Sequence, residues 1–104
     1  MIARTWHGIT EVSKADEYLD YLNKTGVAQY RATQGNLGVY VLRRIEGNKV
    51  HFLLLTLWES KDAIKRLAGS NIEKAKYYRK DEQFLLELEP MVTHYDVVVT
   101  PQTY

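Results

Sequence analysis

A chain of 104 residues has room for one domain built round one core, and none for a second. Its 14 basic and 13 acidic residues leave a formal net charge of +1, too little to gather nucleic acid or an anionic membrane. The absence of cysteine removes a disulfide framework, a thiolate nucleophile and a zinc–thiolate site, and no apolar run approaches the ~20 residues of a membrane-spanning helix.

The N-terminus, Met1 to His7, lacks the apolar stretch of a signal peptide, so a cytoplasmic protein is the default expectation. Residues 2–9 read as a first strand, β-branched and aromatic positions mixed with Arg4 and His7. Ser13, with Asp16 three residues on, reads as the N-cap of a helix carrying Ala15, Tyr18, Leu19 and Leu22, and Gly26 as its stop. A short helical turn is expected at Ala28–Arg31, and a second strand from Val39 to Ile45. Glu46-Gly47-Asn48-Lys49 then supplies a tight hairpin turn.

The stretch from Val50 to Trp58 is the strongest signal in the chain. A half-exposed strand alternates apolar and polar residues; here Leu53, Leu55 and Leu57 lie on one side, and Phe52, Leu54 and Trp58 on the other. Ser60 caps the helix that follows, whose Ile64, Leu67 and Ala68 face inward until Gly69. Asn71 is expected to cap a further short helix through Ile72, Ala75 and Tyr78, and Asp81 to start a last turn with Phe84, Leu85 and Leu88. Pro90 closes that region, and Val92 to Thr100 reads as the fourth strand.

The order strand, helix, strand, strand, helix, strand specifies a single α+β domain over residues 1–104, with a four-stranded antiparallel sheet and helices on one face: the ferredoxin-like arrangement. Strands one and three are placed at the centre and expected to run parallel to each other. The helices cover one face. At ~1.5–3 kcal/mol for each large side chain buried, the other face carries too much apolar surface to stay bare, so a second copy packed sheet to sheet is expected.

In Leu55-Thr56-Leu57-Trp58-Glu59-Ser60-Lys61-Asp62-Ala63, in Gly38-Val39-Tyr40-Val41-Leu42-Arg43-Arg44, and in its order of elements, nearly the whole chain resembles the antibiotic biosynthesis monooxygenase superfamily. The resemblance implies a dimeric α+β barrel, and a family of cofactor-free oxygenases of aromatic and quinol substrates, haem-degrading monooxygenases and members without known activity. Related folds host different chemistries, so the residues must be weighed singly.

His7 is a polar residue on a central strand and needs a partner or a wet pocket. It reads either as a satisfied structural histidine or as a catalytic base, and the resemblance adds that haem-degrading members carry an asparagine near this point. Trp6 and Trp58 read as substrate-binding aromatics or as core. Tyr77 and Tyr78 fall where haem-degrading relatives place their iron-binding histidine; here the segment is Lys74-Ala75-Lys76-Tyr77-Tyr78-Arg79, and Leu67 stands where those relatives carry a tryptophan. Both haem features are missing, so haem degradation is not expected; a cofactor of any kind is not called for.

A tyrosine pair suits a cofactor-free oxygenase, since a phenol orients a phenolic or quinol substrate by hydrogen bonding and stacking. The expected site is a cavity between sheet and helices, with His7 as base and Tyr77 or Tyr78 as donors. A close-packed core at that place would favour a non-catalytic dimeric small-ligand-binding or scaffold module instead. Arg43 and Arg44 read as charges blunting an edge strand. His7, His51 and His94 are too scattered to suggest a metal site. Asp81, Glu82, Glu87 and Glu89 read as a solvated acidic face. No glycine-rich phosphate loop follows a strand.

Overall fold

The structure, a computed structural model, describes residues 1–101; residues 102–104, the end of the expected domain, lie outside the described residues. Strand β1 spans Ile2–Glu11, β2 Asn36–Glu46, β3 Lys49–Trp58 and β4 Thr93–Asp96. Four helices join them: α1 Ala15–Leu22, α2 Ala28–Ala32, α3 Lys61–Ala68 and α4 Asp81–Phe84. The strands form one sheet in the order β2-β3-β1-β4.

Every neighbouring pair in that sheet is antiparallel, including the central pair β1 and β3, where His7 stands opposite Leu53 and Ile9 opposite His51. The expectation of a parallel central pair is therefore corrected. One helical crossover carries the chain from β1 to β2 and the hairpin at Gly47 reverses it into β3, so β3 must run against β1. Gly47 takes φ 62°, the left-handed backbone that such a turn needs.

Alternation along β3 divides the molecule. Val50, Phe52, Leu54, Thr56 and Trp58 are buried towards the helices, while His51, Leu53, Leu55 and Leu57 lie on the opposite, open face. Across the register the helix side gains Arg4, Trp6, Gly8 and Thr10 from β1, and the open face gains Ala3, Thr5, His7 and Ile9. Tyr18 meets Phe52 edge to face at 5.1 Å between ring centres, and Ile64 and Leu67 of α3 seal the far end. Gly8 is required here because the Trp6 indole lies across it; a Cβ would come within 2.3 Å of that ring.

The helical boundaries divide into those set by local chemistry and those set by packing. Ser60 caps α3 as expected, accepting from the Ala63 N–H at 3.1 Å, and Gly69 ends it at φ 83°. Ser13 caps nothing: it sits inside a 3-10 turn, Val12–Lys14, that leads into α1 without a side-chain cap. Gly26 does not stop the helix either. The backbone widens into a single π turn, Asn23–Val27, and continues into α2, with Gly26 buried.

The helix expected from Asn71 through Tyr78 does not form. The Asn71 carboxamide accepts from the Glu73 N–H at 3.2 Å, and the next residues pair with an extended stretch instead, Ala75 N–H donating to Pro90 O and Val92 N–H to Glu73 O. Strand β4 is shorter than expected, four residues, and Val98 and Val99 beyond it are exposed. No helix among the described residues is long and apolar enough to cross a membrane.

Candidate functional site

The polar residues of β1 need partners, and the two faces of the sheet supply them differently. On the helix side Arg4 donates through Nη2 to the Lys74 carbonyl at 3.0 Å, and burial lowers its pKa. His94, opposite Arg4 in the register, is half-buried beside Glu73, its two ring nitrogens inaccessible and free of hydrogen bonds, and desolvation lowers its pKa as well. Trp6 donates from Nε1 to the Tyr77 hydroxyl at 3.2 Å, and Tyr77 donates in turn to the Glu89 carbonyl at 2.5 Å. The Tyr78 hydroxyl donates to the Gln29 side chain. Burial raises the pKa of both tyrosines, so each phenol stays protonated. Both protons are already committed to the protein.

The space between sheet and helices bounded by Trp6, Tyr18, Leu22, Gly26, Tyr30, Leu54, Lys76, Tyr78 and Asp81 amounts to only ≈ 10 Å³. Small-molecule sites usually offer ~300–1,000 Å³, so this layer is packed rather than hollow. Neither His7 nor Tyr77 lines it. The expected cavity shared by His7 and Tyr77 is corrected accordingly: successive strand residues point to opposite faces, and with Trp6 turned inward His7 must turn outward. Trp58 is wholly buried, its N–H spent on Thr56 Oγ1 at 2.8 Å, and does not line that space either.

His7 finds its partners on the open face. Its Nδ1 lies 2.5 Å from Glu89 Oε2, and its Nε2 lies 2.9 Å from Nδ1 of His51. Nε2 of His51 faces Glu46 Oε1 at 3.8 Å, beyond hydrogen-bonding distance. Arg44, opposite His51 in the register, holds the Glu46 carboxylate at 2.5 Å and, by that hydrogen bond first, lowers its pKa. The four side chains form a line, Glu89, His7, His51, Glu46, running from the edge of β1 to the β2–β3 turn. Glu89 joins the two faces, its carbonyl held by Tyr77 and its carboxylate by His7.

Beside this line lies a concavity of ≈ 250 Å³ walled by His7, Leu42, Arg43, Arg44, His51 and Leu53. An apolar cavity of ~150 Å³ accepts benzene, so this one suits a molecule of one or two fused rings. Arg43 is turned away to Asp16 at 3.1 Å and Arg44 is paired with Glu46, so both edge-strand charges are neutralised locally, in keeping with edge protection. No group of three or more metal-ligating side chains occurs among the described residues.

The sheet order, the all-antiparallel register and the helices on one face are those of the antibiotic biosynthesis monooxygenase fold. Proteins named as putative antibiotic biosynthesis monooxygenases share it: one from Bacillus cereus superposes with a TM-score of 0.69 at 16% identity over 100% of this chain and 97% of its own. One from Nitrosomonas europaea gives 0.64 at 13% identity over 95% of this chain and 100% of its own. The heme-degrader MhuD from Mycobacterium tuberculosis, solved with two hemes bound in its active site, gives 0.61 at 17% identity over 98% of this chain and 100% of its own. At these identities the likeness is one of fold. No protein-family model and no curated protein matches the sequence.

The fold of a heme-degrader raises the question of whether this chain fits the same group. The space between sheet and helices is ≈ 10 Å³, and the segment 69–80 beside it holds no histidine to bind iron. Titration with hemin should therefore give no saturable one-to-one Soret shift. Tight binding followed by reductant-dependent ring opening would contradict this.

Proposed function

We propose that the protein is a small monooxygenase of the antibiotic biosynthesis monooxygenase superfamily that works as a homodimer, without metal or organic cofactor, on an aromatic or quinol-like substrate. The observation that carries the reading is the carboxylate–imidazole–imidazole line opening on an apolar-walled pocket of ≈ 250 Å³. A phenol or enol bound there loses its O–H proton to the imidazole system and becomes electron-rich enough to reduce dioxygen directly. The overall change converts a ring CH₂ and O₂ into a ring C=O and H₂O, the substrate supplying all the electrons. The protein's contribution is the base, the dry walls and fixed dipoles for the anion.

A second copy packed on the open face would roof the pocket and exclude water. The sheet, three strands about 33 Å long and the four-residue β4 about 13 Å long, spaced about 4.8 Å apart, offers roughly 540 Å² in plan, about two thirds of the ~800 Å² that each partner gives a standard interface. In this reading Tyr77 and Tyr78 act from behind the sheet, Tyr77 by fixing the chain at Glu89. Uptake of isotopically labelled dioxygen by chelator-treated protein, supplied with phenols, naphthols and tricyclic enols, tests it. Substrate-dependent uptake with one labelled oxygen in the product quinone is expected; no uptake above the buffer rate across the set, or a product without the label, would overturn it.

The close packing between sheet and helices favours a second reading, a non-catalytic dimeric small-ligand-binding or scaffold module. It predicts saturable binding of the same compounds without oxygen uptake.

A further inference from the structure

Both ring nitrogens of His7 are occupied, one by Glu89 and one by His51, so His7, although in the pocket wall, has no nitrogen free to take a proton from a bound molecule. Resting on the monooxygenase reading above for its substrate, the geometry points to His51 as the catalytic base, acting through Nε2, with Glu89 and His7 as positioning residues behind it. The assignment follows from donor and acceptor bookkeeping along the line. A carboxylate only accepts, so the Glu89 contact requires a proton on His7 Nδ1. Neutral His7 then presents a lone pair at Nε2, and the 2.9 Å contact requires His51 to donate from Nδ1. The same logic leaves Nε2 of neutral His51 unprotonated. Among the described residues that nitrogen has no hydrogen-bond partner, and His51 lines the pocket.

The proton balance is simple. The ligand O–H bond breaks, its electron pair stays on the ligand oxygen, and the proton goes to His51 Nε2. The resulting imidazolium is held from one side by His7, itself backed by the Glu89 carboxylate, and faces Glu46 on the other at 3.8 Å. Arg44, paired with Glu46, and Arg43, paired with Asp16, are the other charged residues that line the pocket. A second proton on the pair would set two N–H groups against each other at 2.9 Å.

Long-range ¹H–¹⁵N spectra of the imidazoles test this on the free protein, with no ligand needed. Near neutral pH, His51 is expected as the Nδ1–H form, the reverse of the form that free neutral histidine prefers, and His7 likewise. Glu89→Leu, which leaves no acceptor for His7 Nδ1–H, should release His7 and return His51 towards its ordinary Nε2–H form. Finding His51 with its proton on Nε2 in the unaltered protein, or unmoved by Glu89→Leu, would overturn the assignment. With 2-naphthol as probe, His51→Gln should abolish ionisation of the bound naphthol at neutral pH, and lower any oxidation rate by roughly 10²–10⁴-fold. His7→Gln, which keeps a polar group of similar size, should shift the pH profile rather than abolish the response; equal loss in both variants would contradict the division of roles. If the imidazole forms are as expected and no oxygen is consumed, His51 stands as a base and the monooxygenase reading falls.

Discussion

Replacing Phe52 by alanine should destabilise the protein by about 3–5 kcal/mol, the usual cost of deleting a buried aromatic ring and leaving its cavity. Phe52 is 0% exposed, sits at the middle of the central strand and meets Tyr18 edge to face. Its neighbour across the register is Gly8, which has no side chain to move into the void, and the Trp6 ring above Gly8 is anchored by its bond to Tyr77. The site therefore collapses poorly, and the cost should fall towards the upper part of that range. Against a total stability of about 5–15 kcal/mol this is a large fraction. Urea unfolding should show the midpoint fall with little change in slope. A loss below about 1 kcal/mol would mean that the helices do not pack on Phe52 as described.

The second large effect concerns the open face. Tyr40 is 55% exposed, Leu42 46% and Tyr95 57%, and Leu53, Leu55 and Leu57 lie between them. A two-fold dimer places each such residue at the interface twice. Leu55 lies in the centre of the face, opposite Thr5 and Tyr40, and does not line the pocket. Leu55→Asp removes the burial of two leucines and buries two carboxylates without partners. Even the transfer loss alone is about 3 kcal/mol per dimer at the lower end of the scale, worth over ~10² in the dissociation constant. Sedimentation should show a dimer of the 12.1 kDa chain at micromolar concentration for the unaltered protein and a monomer for the variant. A well-folded monomer of the unaltered chain would remove the dimer from the account.

How far the sequence could lead is clearest at particular residues. The apolar run of β3, the turn at Gly47, the Ser60 cap and the Gly69 stop are local signals, and the structure keeps all of them. Ser13, Gly26 and Asn71 carry the same kinds of local signal and fail, the first two to a change of helical winding and the third to a long-range pairing. A 3-10 turn brings the chain off β1 before α1 begins, a π turn lets Gly26 continue the helix, and pairing with residues 90–92 claims the segment after Asn71. The site was legible only in part. His7 stood out as a polar residue on a central strand, but His51 and Glu89 are 44 and 82 residues away from it.

What brings His7 to His51 is the antiparallel register, which makes them diagonal neighbours across β1 and β3. The histidines are too scattered along the chain for their spacing to suggest the pair, and only the register brings two of them together. Glu89 was hidden differently. It belongs to an acidic run that reads as solvated surface, and only the return of residues 85–86 along β1, through Leu86 N–H to Ile9 O, carries it to the sheet edge.

The central claim is that the chemistry sits on the open face of the sheet and not between sheet and helices. Backbone and side-chain NMR shifts followed while 2-naphthol is added test it most directly. The account predicts saturable shifts at Leu42, Arg44, His51 and Leu53, with His7 and Glu89 following and Tyr18, Tyr30 and Tyr78 unmoved. Shifts centred on Tyr18, Tyr30 and Tyr78, with His51 silent, would show that the helix-side layer opens to hold the ligand and would contradict it.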